Sequence, residues 1–380
     1  MSLPFRLLIS ARDPGAANNL APIARLAQAS STLTLHLVAA EPAARIFAEH
    51  GLEPEKISAP DDTLPAVAAR LLEQHQPDAV LVGLSGPGRG IDEALLAAAR
   101  GRVPSWALQD FWGDVNNGFG AYADTYLVRD NAAAQITRER APVNTLVSGL
   151  PGNASPPLAW QQQRMARKLR QRHHVAQKTP LVLLCSQPLW QQPGYQETLR
   201  DLLLALPPAR LLVRMHPRET TSDRNRMRKL LRSYSPVPWS FSDDQFVALL
   251  SAAELVISPF SNSGLDKALF NSRSRNTGGT PVFALHQPRL QKLYTDWTGL
   301  NTHPLSATQA SITLARKGTL KTDLSKALGP TYQAKVLRAA RNLRPKSNTP
   351  LEILDLIRQD HSKPNPTTPE SHTLDARQAS

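Results

Sequence analysis

The stretch RLLVRMHPRE, residues 210–219, decides how this chain is read. Residues 210–215 have the length and apolar content of one buried strand. His216 follows at the strand end, and Pro217 stiffens the exit and fixes the direction of the ring. Arg214 and Arg218 flank the histidine. A ring among cations is neutral or only partly protonated, yet it still donates a hydrogen bond to a phosphate. A strand ending in a polar, chemically equipped loop is the unit to search for elsewhere.

That unit recurs on both sides. In the second half, strands at 181–185 and 254–258 end in SQP and PFSNSG, and a further strand lies at 281–284. Helices fall at 196–206, 224–232, 246–253 and from 265. In the first half, strands at 5–10, 32–39, 78–83, 104–108 and 125–128 alternate with helices at 20–29, 42–50, 60–75 and 91–100. Apolar strands alternating with helices of this size predict βα units and parallel sheets. SGLPGNASPP at 148–157 interrupts the rhythm as a linker does. The expected fold is α/β: two Rossmann-like domains facing across a cleft, residues 1–150 and 158–345. The segments 307–317 and 329–343 read as helical. The tail 361–380, almost without apolar side chains, reads as disordered.

Composition sets the outer limits. At 380 residues the chain is long enough for two cores without staples. Its one cysteine, Cys185, excludes an internal disulfide and a Cys-rich zinc module. The start MSLPFRLLIS has neither the form of a signal peptide nor that of a membrane span, and no run of 18 apolar residues occurs. A cytoplasmic protein without a transmembrane segment is expected. The net charge of +13 is unevenly divided: residues 1–150 hold 12 basic and 16 acidic side chains, and residues 151–380 the remaining 32 and 15. The second half is therefore the one expected to meet an anion.

The strand-end loops carry the candidate chemistry. RDPGAANN at 12–19 offers Asp13 as general base or hydroxyl binder, with Gly15 and Asn18 beside a helix start; a turn or capping aspartate is the plainer alternative. SGPGRG at 85–90 offers backbone amides and Arg89. QDFWGD at 109–114 sets Asp110 and Trp112 at a sheet edge, suited to sugar recognition or to an ordinary buried tryptophan with a capping aspartate. Gln187 lies in the loop after 181–185. In SPFSNSGLD, 258–266, Ser261, Ser263, Gly264 and Asp266 surround a helix start whose hydroxyls and amides suit a phosphate. No GxGxxG, HExxH, CxxC or GxSxG motif is present, so no metal site and no bound cofactor are expected.

Taken in order, these motifs resemble the glycosyltransferase B fold superfamily. The second half is similar to bacterial sialyl, Kdo and capsule transferases, with His216-Pro217 as the HP motif and Ser261-Asn262-Ser263 as the SS/ST motif. The segments DPGAANNLAP, 85–90 and PSWALQDFWGD of the first half are similar to glycosyltransferase-like and UDP-GlcNAc 2-epimerase-like proteins. The resemblance spans residues 5–290. It departs at NSRSRNTGG, 271–279, and lacks a clean acidic-acidic-Gly base motif.

The resemblance implies transfer of a sugar from a CMP- or UDP-linked donor to a hydroxyl acceptor in bacterial surface glycan synthesis. The donor is a co-substrate and the acceptor a glycan, lipid-linked or protein molecule. Arg214, His216, Arg218, Gln187, Ser261, Ser263, Gly264 and Asp266 would hold the donor, and Asp13 or Asp110 would serve as base. Gly15, Asn18, Arg89 and Trp112 would face the acceptor or sugar. Contact with an anionic membrane at its inner face fits the charge, and the oligomeric state stays open. Two alternatives are carried. A nucleotide-sugar epimerase or hydrolase predicts several carboxylates near the sugar and no acceptor groove. A non-catalytic binder of nucleic acid or anionic glycan predicts an exposed arginine stripe, although aromatics are sparse in the basic stretches.

Overall fold

The computed structural model describes residues 3–84, 86, 88–153, 158–274, 278–343 and 350–361. The first half folds in the order β1 (Phe5–Ala11), α1 (Pro14–Ala29), β2 (Leu33–Ala39), α2 (Ala43–Glu49), β3 (Glu55–Lys56), α3 (Leu64–His75), β4 (Ala79–Leu84), α4 (Ile91–Ala99), β5 (Ser105–Gln109), β6 (Thr125–Val128), α5 (Asn131–Arg140) and β7 (Asn144–Val147). Its seven strands pair in parallel in the order β3-β2-β1-β4-β5-β6-β7. Helices on both faces explain the unbroken apolar runs. Leu7, Leu8 and Ile9 of β1, and Val80 to Val82 of β4, have no exposed surface.

The second half begins with α6 (Ala159–Arg172). It continues through β8 (Leu181–Cys185), α7 (Tyr195–Ala205), β9 (Arg210–Arg214), α8 (Thr221–Tyr234), β10 (Trp239–Phe241), α9 (Phe246–Ala252) and β11 (Leu255–Ser258). Then come α10 (Asn262–Arg273), β12 (Thr280–Ala284), α11 (Pro288–Thr298), β13 (Ile312–Leu314), α12 (Leu320–Leu328), α13 (Pro330–Ala340) and α14 (Pro350–His361). Six parallel strands pair in the order β10-β9-β8-β11-β12-β13. The fold is thus α/β, with two Rossmann-like sheets. In each sheet the strand order reverses once, between β1 and β4 and between β8 and β11. Ligands of such sheets bind beyond the carboxyl ends of strands at that reversal.

The last helix returns to the first sheet. Ile353, Leu354 and Ile357 of α14 join the core that α1 forms with β1 and β4. No helix among the described residues is long and apolar enough to cross a membrane.

One segment departs from the sequence reading. Residues 307–317 were expected to be helical, but a short 3-10 turn, Pro304–Thr308, leads into β13. Ile312 and Thr313 are β-branched and extend the sheet beside Val282 and Phe283, so edge pairing overrides the helical spacing. Three segments named from the sequence fall partly or wholly outside the described residues: the tail 361–380 beyond His361, the loop 85–90 at Ser85 and Pro87, and the basic loop 271–279 at 275–277.

Candidate active site

The loops after β8, β9 and β11 are stitched together around Glu219. Its carboxylate accepts from the His216 amide at 2.6 Å, from Trp190 Nε1 at 2.6 Å and from Ser186 Oγ. Burial raises the Glu219 pKa, against the pull of these donors. Gln187 Oε1 in turn accepts from the Phe260 amide at 3.0 Å. The 216–219 and 260–263 segments are therefore both anchored to residues 186–187, at the second sheet's reversal point.

His216 itself is poised as a neutral donor. Burial, and then the neighbouring Arg218, push its pKa down to about 4. Its Nδ1 accepts from the Arg218 amide at 3.1 Å, which leaves the ring proton on Nε2. Ser261 caps α10, its Oγ accepting from the Ser263 amide at 3.3 Å. Ser263 stands in the first turn rather than before the helix.

Three second-half residues are committed to structure. Gly264 is buried because a Cβ there would lie 2.6 Å from the Phe283 ring, so close packing against β12 accounts for it. Gln187 spends its side-chain carbonyl on the Phe260 amide. Arg214 turns toward the sheet edge, donating to the Asp244 carbonyl at 2.6 Å with its guanidinium 5.2 Å from the Phe246 ring centre. Asp266 is half-buried on α10, and its charge acts on Asp110 and Arg129.

The first half supplies acids. Asp13 occupies the capping position of α1, yet its carboxylate makes no capping hydrogen bond. Oδ1 instead reaches Arg218 across the cleft at 3.2 Å, and the buried Oδ2 has no hydrogen-bond partner. Asp110 meets the other half too: Oδ2 accepts from Asn262 Nδ2 at 2.7 Å and Oδ1 from Asn19 Nδ2 at 3.1 Å. Gly15 makes room, since a Cβ there would lie 2.3 Å from Asp110 Oδ2. Burial pushes the Asp110 pKa up to about 7, although Arg129, donating to the Asp110 carbonyl, pulls it down.

Behind Asp13 lies a cluster that the sequence reading missed. Asp92 and Glu93 open α4 and have no exposed surface. Arg12 pairs with Glu93 at 3.2 Å, and its Nε lies 3.9 Å from Asp92 and 4.0 Å from Asp13. Ser10 Oγ donates to Asp92, Asn116 Nδ2 to Glu93 at 2.8 Å, and the Gly86 amide to Asp114 at 2.6 Å. Burial raises the pKa of Asp92, Glu93 and Asp114. Burial opposes the Arg12 charge, but Glu93, Asp92 and Asp13 outweigh it and hold that pKa above its ordinary value. Two acids at a helix start usually mark a solvated first turn, so nothing in the local pattern marks this pair as buried. Arg129, and the contact of the motif residue Asn262 with Asp110, were also missed; they depend on partners 19 and 152 residues away.

A cavity of about 190 Å³ opens beside Asp13. Its lining mixes Arg12, Arg89 and Arg218 with apolar Pro42, Ile57 and Leu64. Pockets that enclose whole ligands run to ~300–1,000 Å³, so this one suits part of a ligand. Arg89 is exposed, 5.5 Å from the Phe119 ring centre. Asn18 is exposed near the start of α1 and contacts His50 at 3.2 Å. Trp112 is corrected to a core residue. It is 2% exposed, Arg129 covers its ring at 3.8 Å, and its Nε1 donates to Asp130, so no ring face remains for a sugar.

No known family model matches the chain, and no curated protein matches it in sequence. Solved structures do. The chain is similar to UDP-GlcNAc 2-epimerase from Neisseria meningitidis bound to UDP-GlcNAc, at 12% identity over 93% of this chain and 100% of that one, with a TM-score of 0.67. The S. aureus MnaA–UDP structure is 11% identical over 94% and 96%, TM-score 0.68. MurG from Acinetobacter baumannii is 13% identical over 94% and 100%, TM-score 0.57. The fold is therefore the two-domain fold shared by glycosyltransferases of the B type and UDP-GlcNAc 2-epimerases.

Proposed function

We propose that this chain is a glycosyltransferase that moves a sugar from a CMP- or UDP-linked donor to a hydroxyl acceptor. The observation that carries the reading is Asp13. It sits at a capping position without capping, lines the cavity, and pairs with Arg218 from the other half. In the reaction, Asp13 takes the acceptor hydroxyl proton as the oxygen bonds the sugar's anomeric carbon. The bond from that carbon to the donor phosphate breaks, and its electron pair leaves with the phosphate. His216 Nε2–H, Arg218 and the positive end of the α10 dipole stabilise the charge that grows there. Asp110, held by Asn19 and Asn262, orients the sugar or competes for the base role. Arg218 and the His216 donor serve the leaving group, so the reading calls for no bound cofactor. It sets the reaction in the cytoplasm, with a glycan, lipid-linked or protein acceptor.

A second reading, nucleotide-sugar epimerisation, is favoured by one observation: Asp13, Asp92, Glu93, Asp110 and Asp114 crowd the strand ends of the first sheet. The test begins with thermal shift against CMP, CDP, UDP, GDP and TDP. The nucleotide-sugar of the best binder is then followed by NMR with and without candidate acceptors. A transferase releases nucleotide only with acceptor present, whereas an epimerase changes the sugar signals without one. Failure of every nucleotide to bind would overturn both readings.

A further inference from the structure

Residues 158–178, LAWQQQRMARKLRQRHHVAQK, contain six Lys and Arg residues and no Asp or Glu. The structure makes most of this stretch α6, packed through Leu169 and Ala166 on the core that α9 also joins. The outward face runs through Trp160, Arg164, Arg167, Lys168 and Gln171, all exposed and spaced at helical intervals. Arg170 and Arg172 are neutralised by Glu254 and Asp244. Arg164, Arg167 and Lys168 have no ion-pair partner among the described residues. At the start of the helix, Leu158 is 61% exposed and Trp160 is 58% exposed.

We propose that this face docks on an anionic bilayer surface. Two independent signals meet on one helix: three unneutralised cations, which a negatively charged leaflet attracts, and an exposed Leu–Trp pair, which suits the headgroup boundary. At such a surface, buried apolar area and attraction to anionic lipid add to one another. The apolar pair also separates a bilayer from a nucleic acid as occupant. Single strands are gripped by bases stacking on aromatics interleaved among cations, and Trp160 is the one aromatic of residues 158–178.

The test is co-sedimentation of the full chain with vesicles of phosphatidylcholine alone, or with a third phosphatidylglycerol, at 0.05 and 0.3 M salt. Binding is expected only to the anionic vesicles and is weakened by salt. Arg164→Gln, Arg167→Gln and Lys168→Gln combined should lower partitioning on the order of 10²-fold, at ~1 kcal/mol for each cation. Trp160→Ala should lower it further while leaving the salt dependence. These positions are exposed, so an unchanged melting temperature confirms that the variants are folded. Equal binding to both vesicle types would overturn the proposal, as would unchanged binding of the triple variant. Displacement from vesicles by a short RNA that needs the same three cations would overturn it in favour of nucleic acid.

Discussion

The two halves share one architecture and equip it with opposite chemistry. At the β1/β4 reversal, Asp13, Asp92, Glu93 and Asp114 gather around a single guanidinium, Arg12. At the β8/β11 reversal, the loops carry the neutral His216, Ser261 and Ser263 and the start of α10, with the half-buried Glu219 turned inward to hold them. Acid thus faces donors of hydrogen bonds across the cleft, joined by Asp13–Arg218 and Asp110–Asn262. The difference teaches that parallel sheets with similar apolar strands fix only where a site lies. The strand-end loops decide whether it takes up protons or holds an anion.

That contrast breaks most easily at Asp13. Asp13→Asn should cut turnover about 10²-fold or more with little change in donor KM, as expected for loss of a general base. Steady-state kinetics with a working acceptor measures this, and near-full turnover would move the base role to Asp110. Next in size is Glu219. Glu219→Ala strips three donors of their acceptor, and each buried unsatisfied group costs ~1–3 kcal/mol. The urea midpoint should fall clearly, and nucleotide affinity with it. An unchanged midpoint would show that the second half's loops are held by something else.

Titration sharpens the comparison. Asp110 has a pKa near 7 through burial, so it is mostly protonated below that pH and ionised above it. If its carboxylate serves the reaction, kcat/KM rises through pH 7, and Asp110→Asn removes that limb. His216, held near 4, should add no limb around 6.5. The remaining effect, on stability alone, concerns Lys267, buried on α10 with Nζ donating to the Leu250 carbonyl at 2.6 Å. Burial lowers its pKa from 10.5 to about 7. Between those values the unfolded chain binds more protons, so stability rises with pH across that window. Lys267→Met should flatten the rise, read from urea midpoints at pH 7 and 9.

The fold was legible because strands buried on both faces leave continuous apolar runs, such as LLIS in β1 and LVLLC in β8. The reversal points were legible because glycine, proline and hydroxyl residues crowd the loops there. What escaped has a common cause. Trp112 and Gly264 look functional in sequence, but only the neighbours the fold brings to them, Arg129 and Phe283, show them to be packing. Asp92 and Glu93 look like a solvated helix start until Arg12 and Ser10 are seen above them. The strand β13 is three residues long, and its pairing with β12 is invisible to periodicity. Local pattern reports which face is apolar; it does not report which charge ends up beside which.

The division of labour across the cleft is tested most directly by calorimetric nucleotide binding to wild-type, Asp13→Asn and His216→Ala chains. The account predicts that Asp13→Asn binds as tightly as wild type or tighter, since Arg218 is released from its partner. His216→Ala should bind at least about tenfold more weakly, for loss of one hydrogen bond to a charged phosphate. Equal loss of affinity in both variants, or full affinity in His216→Ala, would contradict it.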